Sequence, residues 1–335
     1  APEIGTNKAF IVLRIVRESI PATAAKLEVV FLSSHYPVAS NLLDVRIRTF
    51  EIYELDSEEN RSDTSLGIPQ KGISKQNIQG SQSFVGSGSL TFADVWQDLY
   101  NQAKFFKATG VRLQWHLDAG MTKSSGVYQN YTSTAKDNIK KVMVACDILG
   151  LKIIHNLYVP EIGSQFSYSM DHDCVTNATI RAGYATAAAD FIAIVDSYES
   201  TVGYDAINEP AFQLSANELA TARTLQETSV VVDEIHAAMR AATHKPIIYS
   251  MADGHEGPQQ LPVIAADDYD VISAHGYPIP FRHEMMVYHD QNKRLIAGEI
   301  GYSVAETNNT VRADETRSAY KRATARGQAG YIWEG

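Results

Sequence analysis

Two glutamates each follow a short apolar run: Glu209 in Gly203-Tyr-Asp-Ala-Ile-Asn-Glu-Pro210, and Glu299 in Arg294-Leu-Ile-Ala-Gly-Glu-Ile300. Buried strands that deliver carboxyl groups to one rim of a barrel can face an acid and a nucleophile across a sugar ring. The acid must hold a proton until the leaving oxygen takes it, and the nucleophile must stay ionised. Only different surroundings can impose both states on the same residue type. Other chemistries have weaker support. Asp171-His-Asp-Cys174 and the set Asp253, His255, Glu256 match no defined ligand spacing, so no metal is expected. A Gly-x-Ser-x-Gly nucleophile elbow is absent from the sequence.

The elements that must carry the glutamates alternate with a clear rhythm from residue 91. Thr91 with Asp94 forms a helix-capping pair, and Phe92, Val95, Trp96, Leu99, Ala103 and Phe106 mark one helical face closed by Gly110. The strand Val111-Arg-Leu-Gln-Trp115 follows. Helices over about 134–149, 179–198 and 216–242 then precede strands at Leu151–His155, Gly203–Ile207 and Pro246–Ser250. Strands at Asp270–Ala274 and Leu295–Gly298, a helix near 312–326 and a strand at Gly330–Trp333 complete the series. This predicts strands two to eight of an α/β fold, the (β/α)₈ TIM barrel, with Glu209 ending the fourth and Glu299 the seventh. The first strand falls to Lys71-Gly-Ile-Ser74, inside a long Ser/Gly/Gln/Asn-rich stretch over 56–90. An open doubly wound sheet is the rival, but no Gly-rich phosphate loop follows an early strand. Residues 1–60 read as a small β-rich extension, through the runs Phe10–Val16, Leu27–Leu32 and Leu42–Tyr53, and residues 61–335 as the catalytic barrel.

Asn208-Glu209-Pro210 closing one strand, with Glu299 closing another, resembles the retaining glycoside hydrolases of clan A. The wider pattern over residues 91–335 is most similar to family 5, the cellulase and mannanase family. The resemblance implies that Glu209 is the general acid/base and Glu299 the nucleophile. It implies that Arg112, in Val-Arg-Leu, bonds to the nucleophile, and it matches His155 to the family's third-strand histidine. His275 and Tyr277 in Ser273-Ala-His-Gly-Tyr-Pro278 match its His-x-Tyr, and Trp333 its final tryptophan. The segment Ile154-His-Asn-Leu-Tyr158 departs from the family by lacking an acidic residue and a second histidine.

These matches have chemical sense. An arginine beside Glu299 favours the ionised carboxylate and orients it. Asn208 offers an uncharged donor to the sugar 2-hydroxyl. His275 and Tyr277 can donate to glutamate oxygens, while Trp333 can lie under the apolar face of a pyranose, with Tyr158, Phe166, Tyr168 and Phe212 as further loop aromatics. The implied partner is a β-linked oligo- or polysaccharide, and no cofactor is implied. A transglycosylase with the same glutamates, or an inactive carbohydrate-binding barrel, are the alternatives.

Composition bounds the rest. The chain has 335 residues, 44% hydrophobic and 20% charged, and a net charge of −10 that argues against nucleic acid as a partner. No run approaches 18 consecutive apolar residues, so no membrane span is expected. A start at Ala1-Pro-Glu is consistent with a removed export signal, and a secreted location is the expectation. Of the two cysteines, Cys146 lies on the helical stripe Ile139, Val142, Cys146, Leu149 and is expected to be inert, with pairing to Cys174 left open.

Overall fold

The computed structural model of the protein describes residues 67–69, 71–75, 90–115, 120–158, 177–209, 225–251, 269–276, 294–301, 307–325 and 329–334. The strands expected within 1–60 fall outside the described residues, as do Cys174, Tyr277, the loop aromatics Phe166, Tyr168 and Phe212, and the polar clusters at 171–174 and 253–256. The chain divides into units Ala1–Glu59 and Asn60–Gly335, and every described residue belongs to the second.

The elements of that unit run β1 (Lys71–Lys75), α1 (Phe92–Lys104), β2 (Gly110–Gln114), β3 (Met121–Ser124), β4 (Val127–Tyr131), α2 (Ser133–Leu149), β5 (Lys152–Tyr158) and α3 (Ala178–Val195). They continue with β6 (Thr201–Ile207), α4 (Leu225–Ala242), β7 (Ile247–Met251), β8 (Val271–Gly276), β9 (Arg294–Ile300), α5 (Asn309–Ala325) and β10 (Gly330–Glu334). The strands β1, β2, β5, β6, β7, β8, β9 and β10 pair in that order and close on β1, giving the expected (β/α)₈ barrel. Every barrel pairing with a given register is parallel.

Local chemistry sets the element ends. The Thr91 hydroxyl oxygen accepts from the Asp94 amide at 3.1 Å and its proton goes to the Asp94 carboxylate at 2.6 Å, so the predicted cap is present. The helix stops at Lys104, however, and Gly110 opens β2 instead of closing α1. Phe106, expected on the helical face, is 55% exposed beyond the helix end. Gly150 ends α2 in the left-handed region at φ 67°, which glycine adopts without Cβ strain. Asn177 caps α3 by accepting from the amides of Thr179 and Ile180.

Strand parity separates two apolar layers. Ile154, Val202, Ile248, Val271, Ile296 and Tyr331 form one cluster inside the barrel. Ile153, Leu157, Val111, Leu113, Ile272 and Ala297 join residues of α2, α3 and α4 in a larger cluster between strands and helices. Burying one such aliphatic side chain contributes roughly 1.5–3 kcal/mol. The helix α3, with mean hydropathy 1.2 over 18 residues, is long and apolar enough for a bilayer by composition alone. Its Tyr184, Ala187, Ala188, Phe191, Ile192 and Val195 belong to that cluster, so it is a core helix.

The antiparallel hairpin β3–β4 was not predicted. Its two turn residues, Ser125 at φ 50° and Gly126 at φ 80°, both lie in the left-handed region, as a two-residue hairpin turn of the primed kind requires. The Ser-Gly pair was the available signal. The hairpin seats on α3 through Tyr128, whose hydroxyl donates to Asp190, and Tyr131, whose hydroxyl donates to the Ala187 carbonyl.

Candidate active site

Arg112 is fully buried in the middle of β2, and its guanidinium fans out to residues from β1, β6, β7 and β9. Only a side chain inside the barrel can touch all four. Its Nη1 donates to Glu299 Oε1 at 2.6 Å and to Ser74 Oγ at 3.2 Å. Its Nη2 donates to Asp205 Oδ2 at 2.8 Å, Asn208 Oδ1 at 2.7 Å and Ser250 Oγ at 3.1 Å, while Nε donates to Asp205 Oδ2 at 3.1 Å. The Ser250 hydroxyl also donates to Asp205 Oδ2. Burial by itself would lower the pKa of Arg112, but Asp205 and then Glu299 outweigh it and hold it above the ordinary arginine value. The cation is therefore fixed, and it sits against two carboxylates in a dry layer where charge-assisted bonds are short and strong.

Above Arg112 lie the predicted residues of the rim. Glu299 is buried near the end of β9, with its Oε1 accepting from Arg112 and also from Gln114 Nε2 at 2.7 Å. A slip in the β8–β9 register brings it there: Ala274 pairs with Ala297, but His275 pairs with Glu299, passing over Gly298. Gly298 has no Cβ because none fits, since one would stand 1.9 Å from Ser273 Oγ. Asn208 follows β6 directly and is buried, and Glu209 after it is half-buried at φ 47°. A non-glycine residue in that region is uncommon and costs about 1–3 kcal/mol, a kind of strain that gathers at functional sites.

His275 joins the two acids. Its Nδ1 lies 2.5 Å from Glu209 Oε1 and 3.6 Å from Glu299 Oε2. One oxygen from each glutamate and one ring nitrogen thus lie within 4.8 Å of each other. Burial pushes His275 down to about 4, with Glu299 raising it, Arg112 lowering it and Asp205 raising it. The imidazole is neutral at neutral pH, so Nδ1 can accept from a protonated Glu209 or donate to an ionised one. Arg112 reaches only Glu299 of the pair, so the two carboxyls stand in unlike surroundings.

The other predicted residues divide. Trp333 on β10 is partly buried, pairs in register with Ser74, and shares strand parity with the interior Tyr331, one step nearer the rim. His155 is elsewhere. It has the parity of Ile153 and Leu157, accepts from Trp115 Nε1 at 3.1 Å, and meets Thr201 Oγ1 at 3.1 Å. Its ring packs with those of Phe191 and Tyr204, so it belongs to the layer between strands and helices. Tyr277 is outside the described residues. Gln114 and Asp205 were missed by sequence reasoning. Gln114 lies two residues after Arg112, and that parity was its signal, whereas Asp205 faces inward past a register slip between β5 and β6 that alternation along the sequence does not show.

No family model matches the chain, and no curated protein does. Solved structures do match in fold. A β-mannanase from the blue mussel Mytilus edulis superposes with TM-score 0.60 at 14% identity, over 79% of this chain and 87% of that one. A β-1,4-D-mannanase from Cryptopygus antarcticus gives 0.58 at 14%, over 80% and 85%. An exo-β-1,4-mannosidase from Opitutaceae bacterium strain TAV5 gives 0.54 at 16%, over 80% and 52%. At these identities the likeness is one of architecture, and the chain shares the (β/α)₈ barrel of these glycoside hydrolases.

Proposed function

We propose that this protein is a glycoside hydrolase of the family 5 type, cleaving β-glycosidic bonds with retention of configuration. One observation carries the reading: one carboxyl oxygen of Glu209 and one of Glu299 lie within 4.8 Å of each other at one barrel rim, with Arg112 bound to only one of the two residues. A retaining pair stands about 5–5.5 Å apart, whereas an inverting pair needs about 6.5–9.5 Å to admit a water.

In this reading Glu299 attacks the anomeric carbon as the carboxylate that Arg112 orients. The bond from that carbon to the leaving oxygen breaks while Glu209 gives the oxygen its proton. Glu209, now ionised, takes a proton from water as the water oxygen bonds to the anomeric carbon. The electron pair of the ester bond returns to Glu299, and the product leaves with its original configuration. Neutral His275, with its proton on Nδ1, donates to Glu209 Oε1 throughout and leaves the other oxygen of Glu209 to carry the proton given to the leaving group. Asn208, its oxygen occupied by Arg112, turns its amide nitrogen to the sugar 2-hydroxyl, and Trp333 supplies a flat apolar floor.

The mannanase and mannosidase neighbours support β-1,4-linked mannosides as the first substrates to try. The test is a panel of β-1,4-manno-, gluco- and xylo-oligosaccharides with Glu209→Gln and Glu299→Gln as controls. Turnover of one member by the wild type, lost by at least about 1,000-fold in both variants, is the expected result. No turnover by the wild type, or full activity in either variant, contradicts it.

A further inference from the structure

We propose that Gln114 is a positioning residue that fixes which oxygen of Glu299 attacks and speeds the release of the sugar from it. The inference rests on the proposed double displacement. Gln114 is buried at the rim end of β2, two residues beyond Arg112 and so on the same inward face. Its Nε2 donates to Glu299 Oε1 at 2.7 Å and to Asn208 Oδ1 at 3.3 Å. Both partners are acceptors, which fixes the amide orientation. Arg112 donates to the same two oxygens, at 2.6 Å and 2.7 Å. Each acceptor is therefore held by two donors from one strand, and the carboxylate of Glu299 and the amide of Asn208 cannot rotate independently.

Arg112 and Gln114 hold Oε1 on the side of β2, while Oε2 lies on the side of His275, 3.6 Å from its Nδ1 and towards Glu209, so the bond to the anomeric carbon forms at Oε2. Oε1 then becomes the carbonyl oxygen of the glycosyl ester, a weaker acceptor than a carboxylate oxygen. When water displaces the sugar, the electron pair of the C1–Oε2 bond returns to Glu299 and negative charge grows again on Oε1. A fixed donor at that oxygen strengthens as the charge grows, which favours the second step. In the first step the same donor weakens as charge leaves, and it contributes orientation instead of driving force.

Gln114→Met keeps the side-chain length and removes the donor. With an aryl β-glycoside of the sugar that the wild type cleaves, kcat is expected to fall about 10- to 100-fold, the effect of one hydrogen bond to a charged group. KM should fall with it, and the first turnover should release a burst of aryl alcohol that the wild type lacks. Gln114→Glu, nearly isosteric, puts an acceptor where the donor stood, and its activity should recover as pH is lowered and the new carboxyl gains a proton. Unchanged kcat in Gln114→Met, an equal loss of kcat/KM without a burst, or a Gln114→Glu pH profile that follows the wild type overturns the proposal. A wild type inactive on every β-glycoside overturns the reading beneath it as well. An active wild type with an indifferent Gln114→Met overturns this inference alone.

Discussion

Arg112 Nη1 lies 2.6 Å from Glu299 Oε1, and the same guanidinium holds Asp205 on its other edge at 2.8 Å. All three side chains are almost wholly withdrawn from water, so the arginine is a fixed charge at the barrel centre, bound to Glu299 and not to Glu209.

Replacing that charge by lysine should not be conservative. An ammonium has three donors on a flexible stem and cannot reach Ser74, Asp205, Asn208, Ser250 and Glu299 together. Arg112→Lys is expected to lose about 100-fold or more in activity and to melt several degrees lower. Arg112→Met, which strands two buried carboxylates, should lose about 3–5 kcal/mol of stability, read by denaturant unfolding.

Gly298 makes a steric prediction. Adding a Cβ would place it 1.9 Å from Ser273 Oγ but 3.3 Å from Ser273 Cβ. Gly298→Ala should therefore cost about 1–3 kcal/mol and disturb Glu299 beside it. Removing the hydroxyl as well, in the double variant with Ser273→Ala, should restore most of that stability, and a double-mutant cycle measures the recovery.

Three buried histidines make the fold acid-sensitive. Burial is the main cause in each: His155 falls to about 3, with Lys245 adding, His236 to about 3, with Arg240 adding and Asp270 opposing, and His275 to about 4. Between those values and the ordinary 6.5 the unfolded chain binds protons that the folded chain does not. Their stabilisation is thus complete above pH 6.5 and falls as pH drops towards 4, by about 1.4 kcal/mol per pH unit for each histidine. Among the described residues neither nitrogen of His236 has a hydrogen-bond partner, and its ring packs with those of Tyr249 and Tyr269. His236→Phe should therefore flatten the decline of melting temperature between pH 6.5 and 4.5; an unchanged slope would count against the account.

Much of this architecture was legible because a buried parallel strand announces itself as an apolar run between helical periods. Ile247–Met251 and Val271–Gly276 needed no other signal. β1 was harder, since Ile73 is its one large apolar residue and its inward Ser74 serves Arg112 instead of the core. Glu209 and Glu299 stood out by ending their runs, whereas Asp205 and Gln114 were hidden within theirs. Alternation decides two of these cases: Gln114, two residues beyond Arg112, falls on an inward position, and His155, one residue from the inward Ile154, falls on the helix side, whereas Asp205 turns inward past a slip that pairs Ile153 with Thr201 but Ile154 with Gly203. The passage over Gly298 that turns Glu299 inward is invisible to alternation, because a register slip depends on the neighbouring strand.

The central claim is a covalent bond between a sugar and Glu299. Incubation with an activated 2-deoxy-2-fluoro-β-glycoside of the preferred sugar slows both steps but traps the ester, and peptide mass mapping locates it. The account predicts one sugar per chain, attached at Glu299 and absent in Glu299→Gln. Turnover of natural substrate without any label, or a label on Glu209, would contradict it.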